Sequence, residues 1–131
     1  MTADKTRVAL KRMLANGPLT GLPVKQSDLE LLLALAAPRF EKGREYRERE
    51  VNDVLRDWLS TFSAPHGIDH VTFRRCLVDA RILHRDPAGS TYRVDPARID
   101  PAHAGVDLAQ LLADVKDERA ERKRVHGDRA G

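Results

Sequence analysis

The chain has a single cysteine, Cys76, so no disulfide can form within it and packing alone must hold it together. Aromatic residues make up only 5% of the 131 residues, which leaves Leu, Val, Ile and Ala to build a core. No apolar run approaches the roughly 20 residues of a membrane-spanning helix. The N-terminus lacks the apolar segment of a secretory signal. A soluble, cytoplasmic protein with no membrane association is therefore expected. Phosphate-cradling glycine loops are also missing, because Gly43 and Gly89 stand in turn contexts. His84 and His103 have no Ser/Asp partner pattern, and Cys76 falls on an apolar helical face, where a thiol is inert. His66 and His70 have zinc-ligand spacing, but Gly67 separates them and no Cys or carboxylate completes a set. An enzyme is not expected, nor a metal site, nor a cofactor.

What is present is charge. Charged residues are 33% of the chain, with 23 Lys and Arg against 20 Asp and Glu, for a net of +3. Such a balance permits an anionic partner without demanding one. Position says more than the total. Residues 1–25 carry Lys5, Arg7, Lys11, Arg12 and Lys25 against Asp4 alone. Residues 69–94 hold five arginines against Asp69, Asp79 and Asp86, whereas residues 38–58 balance to zero.

The apolar spacing predicts the elements. Residues 4–15 read as a short helix with Val8, Leu10, Met13 and Leu14 on one side, stopped by Asn16-Gly17-Pro18. Residues 27–40 read as a helix apolar nearly all round, from Leu29 to Leu35, and so as the central one. Ser27 and Glu30 match a capping box at its start and Pro38 ends it. Tyr46 falls on a short extended piece. A helix over 48–59 follows, with Val51, Val54, Leu55, Trp58 and Leu59 on one face. Asp69 caps a helix over 70–80 whose core face is Phe73, Cys76, Leu77 and Ala80. Residues 81–85 and 90–94 alternate as strands around the turn Asp86-Pro87-Ala88-Gly89. Residues 95–105 read as a linker. A last helix over 106–124 has Asp107 as its cap and becomes a purely charged, fraying tail after Val115. Its stripe of Leu108, Leu111, Leu112 and Val115 can pack on its own domain or form a homodimer seam. The division expected is 1–26 for the first helix and loop, 27–94 for the central domain, and 95–131 for the remainder.

This order is that of a winged helix-turn-helix, mainly α with a small β-hairpin and with extra N- and C-terminal helices. The runs FEKGREYREREVNDVL and DHVTFRRCLVDARILHRDPAGSTYRV resemble the bacterial family called domain of unknown function 2087. Its pattern is met by Tyr46; by Glu50, Val51, Asn52 and Leu55; by Asp69, Thr72, Arg74, Arg75, Leu77, Val78 and Asp79; by Leu83 and Arg85; and by Gly89 and Tyr92. The resemblance spans about residues 23–94. Phe73 stands where the family has Leu, and Arg93 where it often has an aromatic. The resemblance implies a fold like that of winged-helix regulators and no established activity.

The adjacent arginines carry the functional question. On a helical wheel, Thr72, Arg75 and Asp79 share an exposed side, while Arg74 lies between faces. One reading makes residues 70–80 a recognition helix on double-stranded DNA, with Thr72, Arg74 and Arg75 reaching bases or phosphates. The hairpin is then a wing whose Arg85, Ser90, Thr91 and Arg93 touch the backbone. In the other, Arg75 pairs with Asp79, and Arg74 covers apolar surface or bonds Asp53 or Asp57. The corresponding functions are a DNA-binding transcriptional regulator and, alternatively, a non-enzymatic protein-interaction module. A continuous basic face from the first helix to the wing favours the regulator, and an acidic exposed helix 48–59 favours the module. RNA is a weaker third partner, for want of an exposed aromatic platform.

Overall fold

The computed structural model describes the backbone of residues 3–130 and the side chains of residues 5–125. Among the described residues, six α-helices and three strands follow in the order α1 (Ala3–Met13), α2 (Gln26–Ala36), β1 (Tyr46–Arg47), α3 (Glu48–Leu59), α4 (His70–Asp79), β2 (Leu83–Arg85), β3 (Thr91–Val94), α5 (Pro101–Ala104) and α6 (Leu108–Ala130). The strands form an antiparallel sheet in the order β1-β3-β2. The expected hairpin is thus widened by the extended piece at Tyr46, which pairs with Tyr92.

Leucine-rich α2 is the centre of the core. Leu31, Leu32, Leu33, Leu35 and Ala36 are all buried, as a helix apolar around its circumference requires. Its capping box does not form. The helix starts one residue early at Gln26, with Lys25 before it and no side-chain cap. Pro38 converts its end to a single 3-10 turn over Ala37–Arg39. α3 has the expected bounds and buries Val51, Leu55 and Leu59 against α4, which buries Phe73 and Leu77. Trp58, partly buried, sets its ring 4.8 Å from that of Phe62 and 5.9 Å from that of Phe73.

The boundary between α4 and β2 has a definite cause. Ile82 N–H donates to Leu77 O at 2.9 Å and Arg81 N–H to Val78 O at 3.0 Å. These two bonds close the helix as a Schellman motif, which needs a left-handed residue, and Arg81 supplies it at φ 61°. The strand therefore begins at Leu83, two residues later than alternation predicts. At the other end of β2, Gly89 takes the left-handed conformation at φ 75° and closes the turn by donating to Asp86 O.

The terminal segments belong to the same core. On α1 the buried residues are Thr6 and Leu10, and Leu14 just past its end is buried too; Val8, expected inside, is 69% exposed. α6 packs along α1. Leu108, Leu111 and Val115 are buried and Leu112 is partly so. The stripe packs against its own domain. Residues 95–105, expected as a linker, carry two short helical turns, capped by Asp95 and Asp100. Past Val115 the helix continues rather than fraying, with Lys116 to Val125 all exposed. Ala, Glu, Arg and Lys favour helix without needing a core. Among the described residues, no helix is long and apolar enough to cross a membrane.

The loop before α2 is pinned to the turn after α3. Leu19 N–H donates to Phe62 O at 3.0 Å, and Ala64 N–H donates to Leu19 O at 2.8 Å. Gly67 sits under this crossing, where an added Cβ would lie 2.6 Å from Leu19 O and 2.9 Å from Ala64 O. Both obstacles are backbone. Gly67→Ala should therefore cost about 1–3 kcal/mol in urea unfolding, by forced overpacking. Gly105→Ala, with nothing within 4 Å of its Cβ position, should not destabilise the protein. Equal stability of the two variants would contradict this account of the crossing.

Candidate functional site

α4 is held at its N-terminus by Asp69. Its Oδ2 accepts from Thr72 N–H at 3.0 Å and from the Thr72 hydroxyl at 2.8 Å. An N-cap of this kind contributes about 1 kcal/mol. The Thr72 hydroxyl bond, then its backbone bond, holds the Asp69 carboxyl below its ordinary pKa. The Thr72 hydroxyl is correspondingly occupied as a donor.

The two arginines diverge. Arg74 is only 8% exposed. One of its terminal nitrogens donates to Asn52 Oδ1 at 2.5 Å and the other lies 3.1 Å from Glu48 Oε1. Its guanidinium carbon stands 5.8 Å from the Tyr92 ring centroid, and the Tyr92 hydroxyl donates to the same Glu48 oxygen at 3.4 Å. Arg74 thus joins α4 to α3 and to β3. Its partners are Glu48 and Asn52, in place of the expected Asp53 or Asp57. Arg75, one residue on, is exposed and makes no ion pair among the described residues, Asp79 included.

The hairpin residues are mostly engaged with one another. Asp86 Oδ1 accepts from the backbone N–H groups of Ser90 at 2.7 Å and Thr91 at 3.1 Å, and its other oxygen accepts from the Ser90 hydroxyl. The Thr91 backbone bond chiefly, followed by those from Ser90, lowers the Asp86 pKa. Arg93 pairs with Glu45 at 2.7 Å across exposed surface. Arg85 curls over its own turn, with two nitrogens 3.4 Å from Gly89 O and its guanidinium 5.8 Å from the Tyr92 centroid. The fold brings Arg74, Arg75 and Arg85 around one shallow depression of about 330 Å³, with Glu48, Asp79 and Tyr92 also in its wall. Ser90, Thr91 and Arg93 do not line it.

The basic N-terminal helix does not extend this surface as free charge. Arg7 faces Asp114 at 3.5 Å, Lys11 bonds Glu118 at 2.6 Å and Arg12 bonds Asp28 at 2.6 Å. α3 exposes Glu48 and Asp53 together with Asp57, among Arg49 and Arg56. Cys76 is partly buried, and burial, then nearby Asp79, raises its pKa, so the thiolate is disfavoured. No three His, Cys, Asp or Glu side chains among the described residues are grouped to hold a metal ion.

The family model described as an uncharacterized protein conserved in bacteria, DUF2087, matches residues 18–94. The chain belongs to this family. No curated protein and no solved structure matches it. The DUF2087 segment contains α2 to α4, the whole sheet and the Arg74 cluster, while α1, α5 and α6 lie outside it. Sequence spacing missed the role of Glu48 and Asn52. No local spacing rule links them to Arg74, which follows 26 and 22 residues later.

Arg74→Ala removes the group that bridges three elements and strands Asn52 and Glu48. Urea unfolding should show a loss of about 2 kcal/mol. Arg75→Ala should change stability by less than about 0.5 kcal/mol. Comparable losses at both positions would contradict the division of roles.

Proposed function

We propose that this DUF2087 protein binds double-stranded DNA as a winged helix-turn-helix regulator, with α4 as recognition helix and the β2-β3 hairpin as wing. The observation that carries the reading is the convergence of Arg75, exposed and unpaired on α4, with Arg85 of the hairpin on one surface depression. The order helix, strand, helix, helix, hairpin supports it. In this reading Arg75 and Arg85 contact phosphates and Thr72 approaches a base edge or sugar. Ser90, Thr91 and Arg93 act at the margin of the wing. Arg74 shapes the surface and touches no DNA.

The footprint is narrow. Arg7, Lys11 and Arg12 of α1 are matched by carboxylates on α6 and α2, so they add little attraction for phosphate. That same matching supports the second reading of a protein-interaction module. The two readings differ in one measurable quantity, the salt dependence of duplex binding.

Fluorescence anisotropy on a labelled random duplex should give affinity in the micromolar range at low salt. With two phosphates neutralised, the slope of log K against log salt should be about −2. Arg75→Ala should reduce that slope by about 1 while leaving the protein folded. No binding at low salt, or a slope unchanged in Arg75→Ala, would overturn DNA recognition by this surface and direct attention to a protein partner.

A further inference from the structure

We infer that the turn between α3 and α4 carries a binding site for a doubly charged oxyanion, the phosphate group of a small phosphomonoester. A depression of about 360 Å³ lies there, with Arg56, Ser60, Ser63, His66 and His70 in its wall. Its ionisable lining is Arg56, His66 and His70, with no carboxylate among the described residues that form it. Arg75 and Arg85 line a different depression, so the site stands whether or not the DNA reading does.

His66 gives the strongest pointer. It is exposed, its ring makes no hydrogen bond or ion pair among the described residues, and its backbone is left-handed at φ 59°. Packing does not account for this side chain, and glycine or asparagine would hold the conformation at less cost. Backbone outliers of this kind gather at ligand sites. The turn that presents it is pinned, because Gly67 N–H donates to Ala64 O and Ala64 N–H to Leu19 O, each at 2.8 Å. The His70 ring is 26% exposed, and its Nδ1 is 4.0 Å from Asp69, too far for a hydrogen bond. Arg56 is exposed as well, with the Asp53 carboxylate 3.8 Å away. All three side chains therefore keep donors that solvent, and a ligand, can reach.

The carbonyl end of α3 borders the site and by itself repels an anion. Here its carbonyls are occupied. Ser60 N–H donates to Arg56 O, and the hydroxyls of Ser60, Thr61 and Ser63 donate to Asp57 O, Trp58 O and Leu59 O. The start of α4 is already capped by Asp69, so the three side chains select the ligand rather than a helix end. A neutral imidazole offers one N–H and an imidazolium two, so the anion is held best when both rings are protonated. The carboxylates of Asp69 and Asp53 lie outside the wall and favour that protonation and the Arg56 charge.

The test follows amide and imidazole resonances of the isotope-labelled full chain by NMR as sodium sulfate is added, with sodium chloride at matched ionic strength as control. Sulfate is the probe because it stays a dianion throughout, so any pH dependence belongs to the protein. It should cause saturable shifts at His66, Gly67 and His70 with millimolar affinity, about tenfold tighter at about pH 5.5 than at about pH 8. The variant His66→Gln/His70→Gln keeps side-chain donors but cannot become charged. It should bind sulfate about tenfold more weakly at the lower pH, lose the pH dependence and keep wild-type resonances elsewhere. Its affinity for a random duplex should be unchanged, and Arg75→Ala should bind sulfate as wild type does. Shifts that never saturate, or that chloride reproduces, would overturn the proposal. Undiminished binding by the histidine variant, or loss of binding in Arg75→Ala, would overturn its assignment to this turn. A matching loss of duplex affinity in the histidine variant would overturn the small-molecule ligand in favour of backbone phosphate.

Discussion

The guanidinium of Arg74 is the point through which the central part of this fold is tied. It bonds Asn52, pairs with Glu48 and stands against Tyr92, which itself reaches Glu48. One planar cation with several donors in fixed directions can satisfy two helices and a strand at once, which a lysine cannot. Charge buried to this degree is destabilising unless it is fully bonded, and here the bonds come from residues far apart in sequence. The cluster therefore links α4 to α3 and the sheet, one residue before exposed Arg75.

A second constraint is the internal use of charge. A chain that is basic at its N-terminus looks, in sequence, like an anion binder from its first residue. Folding brings α6 alongside α1, and Asp114 and Glu118 meet Arg7 and Lys11. These pairs are partly exposed and each stabilises little. Their larger effect is on the field outside the molecule, because they remove α1 from the free positive surface. Net charge counted along the chain overstates the charge available to a partner.

The elements were largely legible in the sequence because most of them report a local cause. The spacing of Val51, Leu55 and Leu59, the Asp69 cap and the turn at Asp86 to Gly89 each act over a few residues. Errors fell where a competing local device or a distant contact decided. Ser27 lost its cap because α2 begins at Gln26, and Arg81 left the strand because it closes the α4 terminus. Val8 is turned outward because α6 packs on α1, whose buried side carries Thr6 and Leu10. The candidate site was half legible. Periodicity set Arg75 outside and left Arg74 between faces, but its partners lie 22 and 26 residues away and no spacing rule reaches that far.

Arg74 acts with Asn52 and Glu48 as one bonded unit. A double-mutant cycle on unfolding free energy, with Arg74→Ala, Asn52→Ala and the pair, measures this directly. The expected coupling is about 1–2 kcal/mol, with the double variant losing less than the two single losses added together. Strict additivity would mean that the two side chains contribute independently, and the link from α4 to α3 would then not be one bonded unit.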